Sequence, residues 1–434
     1  MKLRLLILLF LILIPTFNTL SAQEMTAKER FAAFKERRKN KITAFNKQRL
    51  EKYELFKQSL IEKWGVADTS NETEIVIYND KLSSKFSINY QHNTVELITI
   101  DSLTKKQAVS IFNDQLASPI DSVRINEKVN TVFSDSKTAI ASKSAFKTSP
   151  VTIAESISLG TDIKLSEIES ISVAQAQRAL KKKVNIKLSS EIKKVGNFLN
   201  HSESTDKEQK SVMSVYKKSL EYEKEQIQKA QLPKNISAFK FSFKNNRVDK
   251  AKLYLNEVNK FSKKYNVDPF LILAIVETES SFNPLAKSYI PAFGLMQIVP
   301  STAGLDVNRR VFKQKSKPAE ESLYSPQTNI LYGVAYLNIV QKNYFPAITD
   351  EQSKLLCTIS AYNTGVGNVA KAFNGTSKSL RQAQSAINNL TVAEVKNTLL
   401  TKTPEETKNY LKKVLVRKQF YETELTSELE KFND

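Results

Sequence analysis

The chain has 434 residues, of which 41% are hydrophobic and 25% are charged, and its formal net charge is +20 at pH 7. This length predicts two domains, and the composition is that of a soluble globular protein. With two histidines, one cysteine and nine glycines, ordinary zinc sites, cysteine–histidine nucleophiles and glycine-rich phosphate loops are excluded, and a serine–histidine–aspartate triad is disfavoured. The positive charge suits an acidic polymer, anionic lipid or nucleic acid, although lysine-rich helices would give the same charge for solubility alone.

Residues 1–22 predict a signal for export. Lys2 and Arg4 precede an unbroken apolar stretch over residues 5–14, and small residues follow it. The stretch is short for a membrane span, so a cleaved secretory signal is the first interpretation and an uncleaved anchor the second. The one cysteine, Cys357, lies far from this segment, so we expect neither a disulfide framework nor a lipid-acceptor cysteine after the signal.

The chain that follows alternates between helical and strand patterns. Residues 23–65 are basic, with phenylalanines and leucines spaced as in one or two amphipathic helices. Period-two alternation then predicts three strands, and a capped helix comes after them. The strands are predicted at Glu74–Tyr78, Lys85–Tyr90 and Asn93–Ile100, and the helix at Ser102–Leu116.

The remainder of the first domain is less regular. Residues 130–160 are rich in Ser, Ala, Lys and Thr without a clear period, which predicts a loop or mobile insertion. Val184–Leu188 and Phe239–Phe243 predict two further strands, with a helix over Ser211–Gln231 between them. Residues 66–246 are therefore predicted to form an α+β domain, and no catalytic constellation is evident in it.

From residue 247 to residue 434 the apolar positions recur at helical spacing, which predicts an all-α second domain. Asp268 and Pro269 mark a helix start, with the aspartate as N-cap and the proline in the first turn. Cys357 is predicted to be a buried core residue. The predicted helices include Ala251–Tyr265, Leu271–Val276, Asn329–Tyr344, Ser353–Ala361 and Thr407–Thr426.

Two carboxylates end a helix that is apolar on every face. Such a helix belongs in a core, where an ionised carboxylate is poorly solvated, so burial raises its pKa and keeps it protonated. A protonated carboxyl can act as the general acid that cleavage of a glycosidic bond requires. Glu277 and Glu279 lie about 200° apart around the helix and cannot work as a pair. Periodicity does not choose between them, and either could simply reach solvent at the helix end.

Two later segments are unusual for purely structural residues. Gly294–Gln297 places a polar amide in an apolar run, and its glycine allows the backbone to approach another group closely. Ser360–Gly367 ends a helix with tyrosine and asparagine, followed by two glycines. This second segment is either an ordinary helix C-cap or a set of hydrogen-bonding groups for a sugar.

Together, five motifs in this order resemble the catalytic domain of the lytic transglycosylases, lysozyme-like enzymes that cleave bacterial peptidoglycan. The resemblance covers about residues 248–424, and the strands of the first domain are similar to the family to a lesser degree. The motifs are Thr278–Pro284, Gly294–Gln297, Asn329–Leu337, Ala361–Gly367 and Glu405–Tyr410.

The resemblance implies an α+β N-terminal domain followed by an all-α lysozyme-like catalytic domain over residues 247–434, acting in the periplasm without a metal or cofactor. It assigns the catalytic acid to Glu279 and not to Glu277. The substrate-binding residues that it implies are Ser280, Met296, Gln297, Tyr336, Tyr362, Asn363, Glu406 and Tyr410.

The implied reaction needs a single carboxyl group. Glu279 protonates the oxygen between N-acetylmuramic acid and N-acetylglucosamine, and then, as a base, takes the proton of the muramyl C6 hydroxyl while a 1,6-anhydro ring closes. No water is consumed, whereas a retaining or inverting hydrolase would require a second carboxylate. The absence of an obvious paired acid in the sequence agrees with this reaction.

The chain departs from the family pattern before Gly294, where Ser288 is kept but Ile290, followed by Pro291, stands at the later polar place, and at Thr364, where a glycine is common. Two other functions stay open: a catalytically inert peptidoglycan-binding or scaffold protein on the same fold, and a lysozyme-type hydrolase or chitinase. The expected partners are peptidoglycan glycan strands, with peripheral association to a membrane or anionic polymer left open and nucleic acid not expected.

Overall fold

The computed structural model describes residues 53–118, 152–157, 163–201, 207–244, 247–288 and 292–430. The predicted signal at 1–22, the basic segment up to residue 52, most of the predicted insertion at 130–160, and Ile290 and Pro291 lie outside the described residues. The described residues pack as one unit around two hydrophobic cores. The domain boundary expected at residues 246 and 247 stays a prediction.

A five-stranded antiparallel sheet organises the first part of the chain, in the order β1-β2-β3-β5-β4. Side chains on alternate positions point to opposite faces of a sheet, so one face is apolar and packs on a helix, while the other carries Glu74, Lys85 and Glu96. The strands are β1 (Glu74–Tyr78), β2 (Ser84–Asn89), β3 (Thr94–Thr99), β4 (Glu169–Ile171) and β5 (Ser237–Ser242).

In the described part of the chain, five α-helices accompany this sheet. Thr104 caps the second of them with a capping box. Its hydroxyl accepts a hydrogen bond from the Gln107 backbone N–H, and the Gln107 side chain accepts one from the Thr104 backbone N–H. Phe112 of that helix packs edge-on against Phe86 in the apolar core, with ring centroids 5.8 Å apart. The helices are α1 (53–64), α2 (Lys105–Ala117), α3 (Ile153–Ser156), α4 (Val173–His201) and α5 (Lys207–Gln226).

The predicted strand at Val184–Leu188 is wrong, because these residues lie inside α4. Their apparent alternation comes from Ile186, which is 57% exposed on the outer side of the helix. From Ala176 to Leu188 the buried residues of α4 recur every four positions, as one face of a helix does. They are Ala176, Leu180, Val184 and Leu188.

The regular structure of residues 247–430 is helical, apart from isolated bridges at Phe293. The predicted fold class, an α+β part followed by an all-α part, is therefore confirmed. No helix in the described part of the chain is both long and apolar enough to span a membrane. The helices are α6 (Arg247–Lys252), α7 (Leu255–Tyr265), α8 (Pro269–Ser280), α9 (Leu305–Arg310), α10 (Pro326–Ile339), α11 (Glu351–Thr364), α12 (Val366–Asn374), α13 (Leu380–Asn388), α14 (Val392–Lys402) and α15 (Glu405–Glu430).

Helix α8 lies at the centre of the second core. Asp268 caps it, accepting from the Phe270 backbone N–H at 2.8 Å, and Pro269 occupies its first turn, as predicted. The residues from Leu271 to Val276 have no exposed surface. Because α7 and α15 cover this helix, its C-terminal end meets side chains from distant parts of the sequence.

Candidate active site

The two carboxylates at the end of α8 have different surroundings. Arg247 donates from Nε and Nη2 to the two oxygens of Glu277, each at 2.8 Å. Arg417 Nε lies 3.3 Å from Glu277 Oε1, and Tyr421 Oη donates to Oε2 at 2.9 Å. Both carboxylate oxygens of Glu277 are thus occupied by fixed donors, which is the arrangement of a structural ion-pair cluster.

Among the described residues, no lysine or arginine forms an ion pair with Glu279. Its Oε1 accepts a hydrogen bond from Tyr410 Oη at 2.7 Å. Burial raises the pKa of Glu279 to about 8, the Tyr410 hydrogen bond opposes this rise, Glu406 and Glu72 add to it, and Lys194 opposes it. At neutral pH this carboxyl is therefore mostly protonated, which is the state of a general acid.

The chain turns sharply directly after Glu279. Ser281 and Phe282 both adopt left-handed backbone conformations, with φ of 54° and 68°. Ser280, a predicted substrate-binding residue, has no exposed surface, and its hydroxyl donates to the Leu295 carbonyl at 2.8 Å. In this position Ser280 joins the end of α8 to the next loop and does not face solvent.

That next loop, Gly294–Gln297, is held by a buried asparagine. Asn329 accepts from the Met296 backbone N–H at 2.7 Å and donates to the carbonyls of Phe293 and Leu323 at 2.7 and 2.6 Å. Gly294 has a φ of +71°, and a Cβ there would lie 2.3 Å from the Leu323 carbonyl oxygen. The glycine is therefore required by both its conformation and its surroundings.

The loop presents its backbone to the region beside Glu279. The Met296 carbonyl accepts from Tyr362 Oη at 2.8 Å, while the Met296 side chain is fully buried against Gly333. Gln297 is half-buried, with a φ of 47°, and its side-chain amide donates to the Gly294 carbonyl at 3.1 Å. Of these two predicted substrate-binding residues, the Gln297 side chain is the one with exposed surface.

Tyr362 lies close enough to Glu279 to be affected by its charge, and Tyr336 packs near Tyr362. The rings of Tyr336 and Tyr362 lie 5.8 Å apart at an angle of 60°. Burial raises the pKa of Tyr362, and the nearby charge of Glu279 raises it further. Asn363 accepts from the Thr407 hydroxyl at 2.8 Å, which ties the end of α11 to the start of α15.

Sequence analysis missed the residues that the α+β part contributes to this region. Asn197 Nδ2, near the end of α4, donates to Glu406 Oε2 at 2.9 Å, and Lys194 forms an ion pair with Glu72. The only signal in the sequence is a set of lysines at helical spacing in α4, at a place where a strand was predicted.

The arrangement brings together a carboxyl group with a raised pKa, a tyrosine hydroxyl that is hydrogen-bonded to it, and half-buried tyrosine and asparagine side chains nearby. Such a group can donate a proton to a bridging oxygen and accept one afterwards. Within the described ranges, no group of three or more histidine, cysteine, aspartate or glutamate side chains is placed to hold a metal ion.

Comparison with known proteins relates part of the chain to one family. Residues 256–385 match the family model described as the transglycosylase SLT domain. Membrane-bound lytic murein transglycosylase C of Photorhabdus laumondii is 42% identical over 181 residues, which are 41% of this chain and 49% of the relative. The protein of the same name in Serratia proteamaculans is 45% identical over 171 residues, covering 39% of this chain and 47% of the relative. The chain thus matches about half the length of these relatives.

Among solved structures, the 70 kDa soluble lytic transglycosylase from Escherichia coli aligns with 63% of this chain and 40% of its own, at 19% identity and a TM-score of 0.31. A TM-score of this size does not establish a common overall fold. The evidence of family lies in the sequence matches, which include the end of α8 and the Gly294–Gln297 loop. Residues 256–385 of this chain are therefore similar in sequence to the transglycosylase SLT domain.

Proposed function

We propose that the chain is a peptidoglycan lytic transglycosylase in which Glu279 alone acts first as acid and then as base. The observation that carries the proposal is the state of Glu279, a half-buried side chain whose pKa is raised to about 8 by burial of its carboxyl group and which accepts a hydrogen bond from Tyr410 at 2.7 Å. The match of residues 256–385 to the SLT family and the names of the relatives support the same substrate class.

In the first step Glu279 gives its proton to the oxygen that joins C1 of N-acetylmuramic acid to C4 of N-acetylglucosamine. The C1–O bond breaks, and the N-acetylglucosamine end leaves with its C4 hydroxyl. In the second step the muramyl C6 oxygen bonds to C1, and its proton returns to the Glu279 carboxylate. The product is a 1,6-anhydro ring, and no water enters the balance.

Tyr410 has a place in both steps. Its hydroxyl donates to Glu279 Oε1, which stabilises the carboxylate that forms after the first proton transfer. Burial raises the pKa of Glu279, whereas the hydrogen bond from Tyr410 lowers it. With its pKa near neutral pH, the same carboxyl group can donate the proton in the first step and accept one in the second.

A hydrolase would need a second carboxylate that is available to activate water. Glu277 is held by two arginines and a tyrosine, Glu72 is paired with Lys194, and Glu406 accepts from Asn197. These contacts favour the non-hydrolytic reaction. The inert-binder alternative is less favoured, because a protein that only binds glycan has no need of a carboxyl group with a raised pKa.

Exchange of each glutamate for glutamine tests the proposal, because the two residues lie on the same helix. Glu279→Gln removes the proton donor, so cleavage of purified peptidoglycan should fall by about 10²–10⁴-fold while thermal stability is kept. Glu277→Gln leaves Glu279 in place, so this variant should still cleave peptidoglycan. It should unfold at a lower temperature, because Arg247 and Arg417 lose the carboxylate with which they form ion pairs.

Mass spectrometry of the released muropeptides identifies the reaction. Anhydro-muramyl ends from the native protein are the expected result. Reducing ends would make it a hydrolase, and an undigested wall would make it a binding protein. Residual cutting by Glu279→Gln at the native rate would overturn the role of this carboxyl group.

We further propose that the protein is exported and acts at the periplasmic cell wall. Two supports for this location are the segment at 1–22, in which two basic residues precede an apolar stretch, and the proposed peptidoglycan substrate. The net charge of +20 suits contact with an anionic polymer or lipid.

A further inference from the structure

Helix α4 lies outside the residues that match the SLT domain, yet its last turns border the surroundings of Glu279. Asn197 Nδ2 donates to Glu406 Oε2 at 2.9 Å, and Lys194 forms an ion pair with Glu72. Glu406 and Glu72 both lie close enough to Glu279 to act on its charge state. The end of α4 is thus in contact with the two carboxylates that neighbour the proposed catalytic acid.

The position of α4 is fixed by a row of lysines on one of its faces. Lys183, Lys187 and Lys194 are spaced by four and seven residues, so they project to the same side of the helix. Lys183 Nζ lies 2.8 Å from Glu74 Oε1, and Lys187 Nζ lies 2.5 Å from Asp68 Oδ1. Removing one partner of such buried pairs is costly, so these contacts set the rotation of α4 and with it the position of Lys194.

Glu72 is tied to the proposed catalytic helix as well as to α4. Its backbone carbonyl accepts from Asn283 Nδ2 at 3.1 Å, and Asn283 has no exposed surface. Asn283 lies four residues after Glu279, in the sharp turn that ends α8. The Lys194–Glu72 pair is therefore held by α4 through Lys194 and by the turn after α8 through the backbone of Glu72.

The charged and titratable groups that act on Glu279 come from four parts of the chain. Glu72 precedes β1, Lys194 belongs to α4, Tyr362 belongs to α11, and Glu406 and Tyr410 belong to α15. Two of them are carboxylates, and nearby like charge disfavours ionisation of a third carboxyl group. With neither carboxylate balanced, Glu279 would hold its proton too tightly to give it to a substrate.

We propose that Lys194 and Asn197 are positioning residues of the active site: Lys194 neutralises Glu72 and Asn197 holds Glu406, which leaves Glu279 as the carboxyl that exchanges a proton with the substrate. The inference deepens the proposed function and rests on it. It also gives the α+β part a role in the reaction, since a helix of that part completes the site.

A direct titration of Glu279 tests this inference without turnover. Infrared difference spectra, each taken against the same protein carrying Glu279→Gln, report the pH at which this carboxyl ionises. Lys194→Gln should move the midpoint to higher pH, because a neighbouring cation is lost. Glu72→Gln should move it to lower pH, because a neighbouring anion is lost and Lys194 stays charged.

Matched variants on the same helix are the controls. Lys193, which directly precedes Lys194 in α4, is exposed. Lys193→Gln removes a charge of the same sign and should leave the midpoint of the Glu279 titration unchanged. Lys194→Arg keeps the cation and should restore the native midpoint. Equal midpoints for Lys194→Gln and Lys193→Gln, together with no downward shift in Glu72→Gln, would overturn the inference.

Kinetics test the part that concerns Asn197. Asn197→Ala releases Glu406, so KM for soluble glycan should rise by about 3–10-fold with a smaller change in kcat, as expected for the loss of one hydrogen bond to a charged group. An unchanged KM would remove Asn197 from the proposal. A native protein that cleaves no glycan would refute the proposed function, while the titration would still decide the role of Lys194.

Discussion

At position 279 burial and hydrogen bonding act on one carboxyl group in opposite directions. Burial raises the pKa of Glu279 to about 8, and the hydrogen bond from Tyr410 limits that rise. A group that must both donate and accept a proton works best when its pKa lies near the operating pH. The rate of cleavage should therefore fall as the pH rises through the pKa of Glu279, because the acid form is lost there.

Removing the tyrosine hydroxyl should change this pH dependence. In Tyr410→Phe the carboxylate of Glu279 loses its hydrogen-bond donor, so its pKa rises and the alkaline limb of the pH–rate profile should move to higher pH. The rate at neutral pH should drop by about 10–100-fold, since the carboxylate formed in the first step is less stabilised.

Tyr421→Phe is the matched control for that substitution. Tyr421 belongs to the same helix as Tyr410, but its hydroxyl donates to Glu277 at 2.9 Å. This variant should keep the native alkaline limb. Identical limbs in both variants would contradict the assignment of Tyr410 as the partner of the catalytic acid.

The choice between Glu277 and Glu279 shows what sequence can and cannot predict at this scale. The apolar residues Leu271–Val276 predict burial, and all of them are buried. The helix has no polar face, however, so the spacing of its apolar residues does not predict which of the two glutamates is the acid. What distinguishes them are Arg247 and Tyr410, which lie 30 and 131 residues away from their partners in the chain.

At the scale of elements, the Gly294–Gln297 loop is fixed by the packing of one glycine against another segment. Replacing Gly294 with alanine would place a Cβ 2.3 Å from the Leu323 carbonyl oxygen, at a φ of +71°. Gly294→Ala should therefore lower the free energy of unfolding by about 2–4 kcal/mol, as measured by urea denaturation.

Gly375→Ala separates conformational strain from close packing. Gly375 has a similar φ of +73°, but nothing lies within 4 Å of the added Cβ. Its substitution should cost less than that of Gly294, because only the backbone term applies. Equal losses in the two variants would mean that the contact with Leu323 does not constrain the loop.

The elements themselves were predictable wherever one face of the chain is buried. The first three strands and the start of α8 at Asp268 lie where alternation and capping predict them. The strand expected at Val184–Leu188 is instead part of a helix. A short run with apolar residues two apart also fits a helix in which the buried positions recur every four residues. The length of the helix and the buried Ala176 and Leu180 that precede the run decide for the helix.

Over the whole molecule, the proposed active site draws residues both from the α+β part and from the region that follows it. Lys194 and Glu72 precede the SLT match by more than fifty residues, so no local pattern could have related them to Glu279. The two cores were predictable from the change in hydrophobic period near residue 247. The contacts between them were not, since they depend on how the finished parts pack.

The net charge of +20 leads to a prediction about the whole chain. Binding of the inactive Glu279→Gln protein to purified cell wall should weaken as NaCl is raised from about 0.05 to about 0.5 M, because salt screens exposed charges. Sedimentation with the wall measures the bound fraction, and neutral chitin is the control polymer. Binding that is insensitive to salt would count against an electrostatic contribution.

The ionisation of Glu279 in the native protein is the most direct test of the central claim. Infrared difference spectra between the native protein and Glu279→Gln, recorded from acid to alkaline pH, follow the carboxyl band of this residue alone. The desolvated site predicts a midpoint near pH 8, in keeping with a pKa raised to about 8. A midpoint near 4.5, the ordinary value for a solvated glutamate, would show that the group is ionised at neutral pH and cannot be the proton donor.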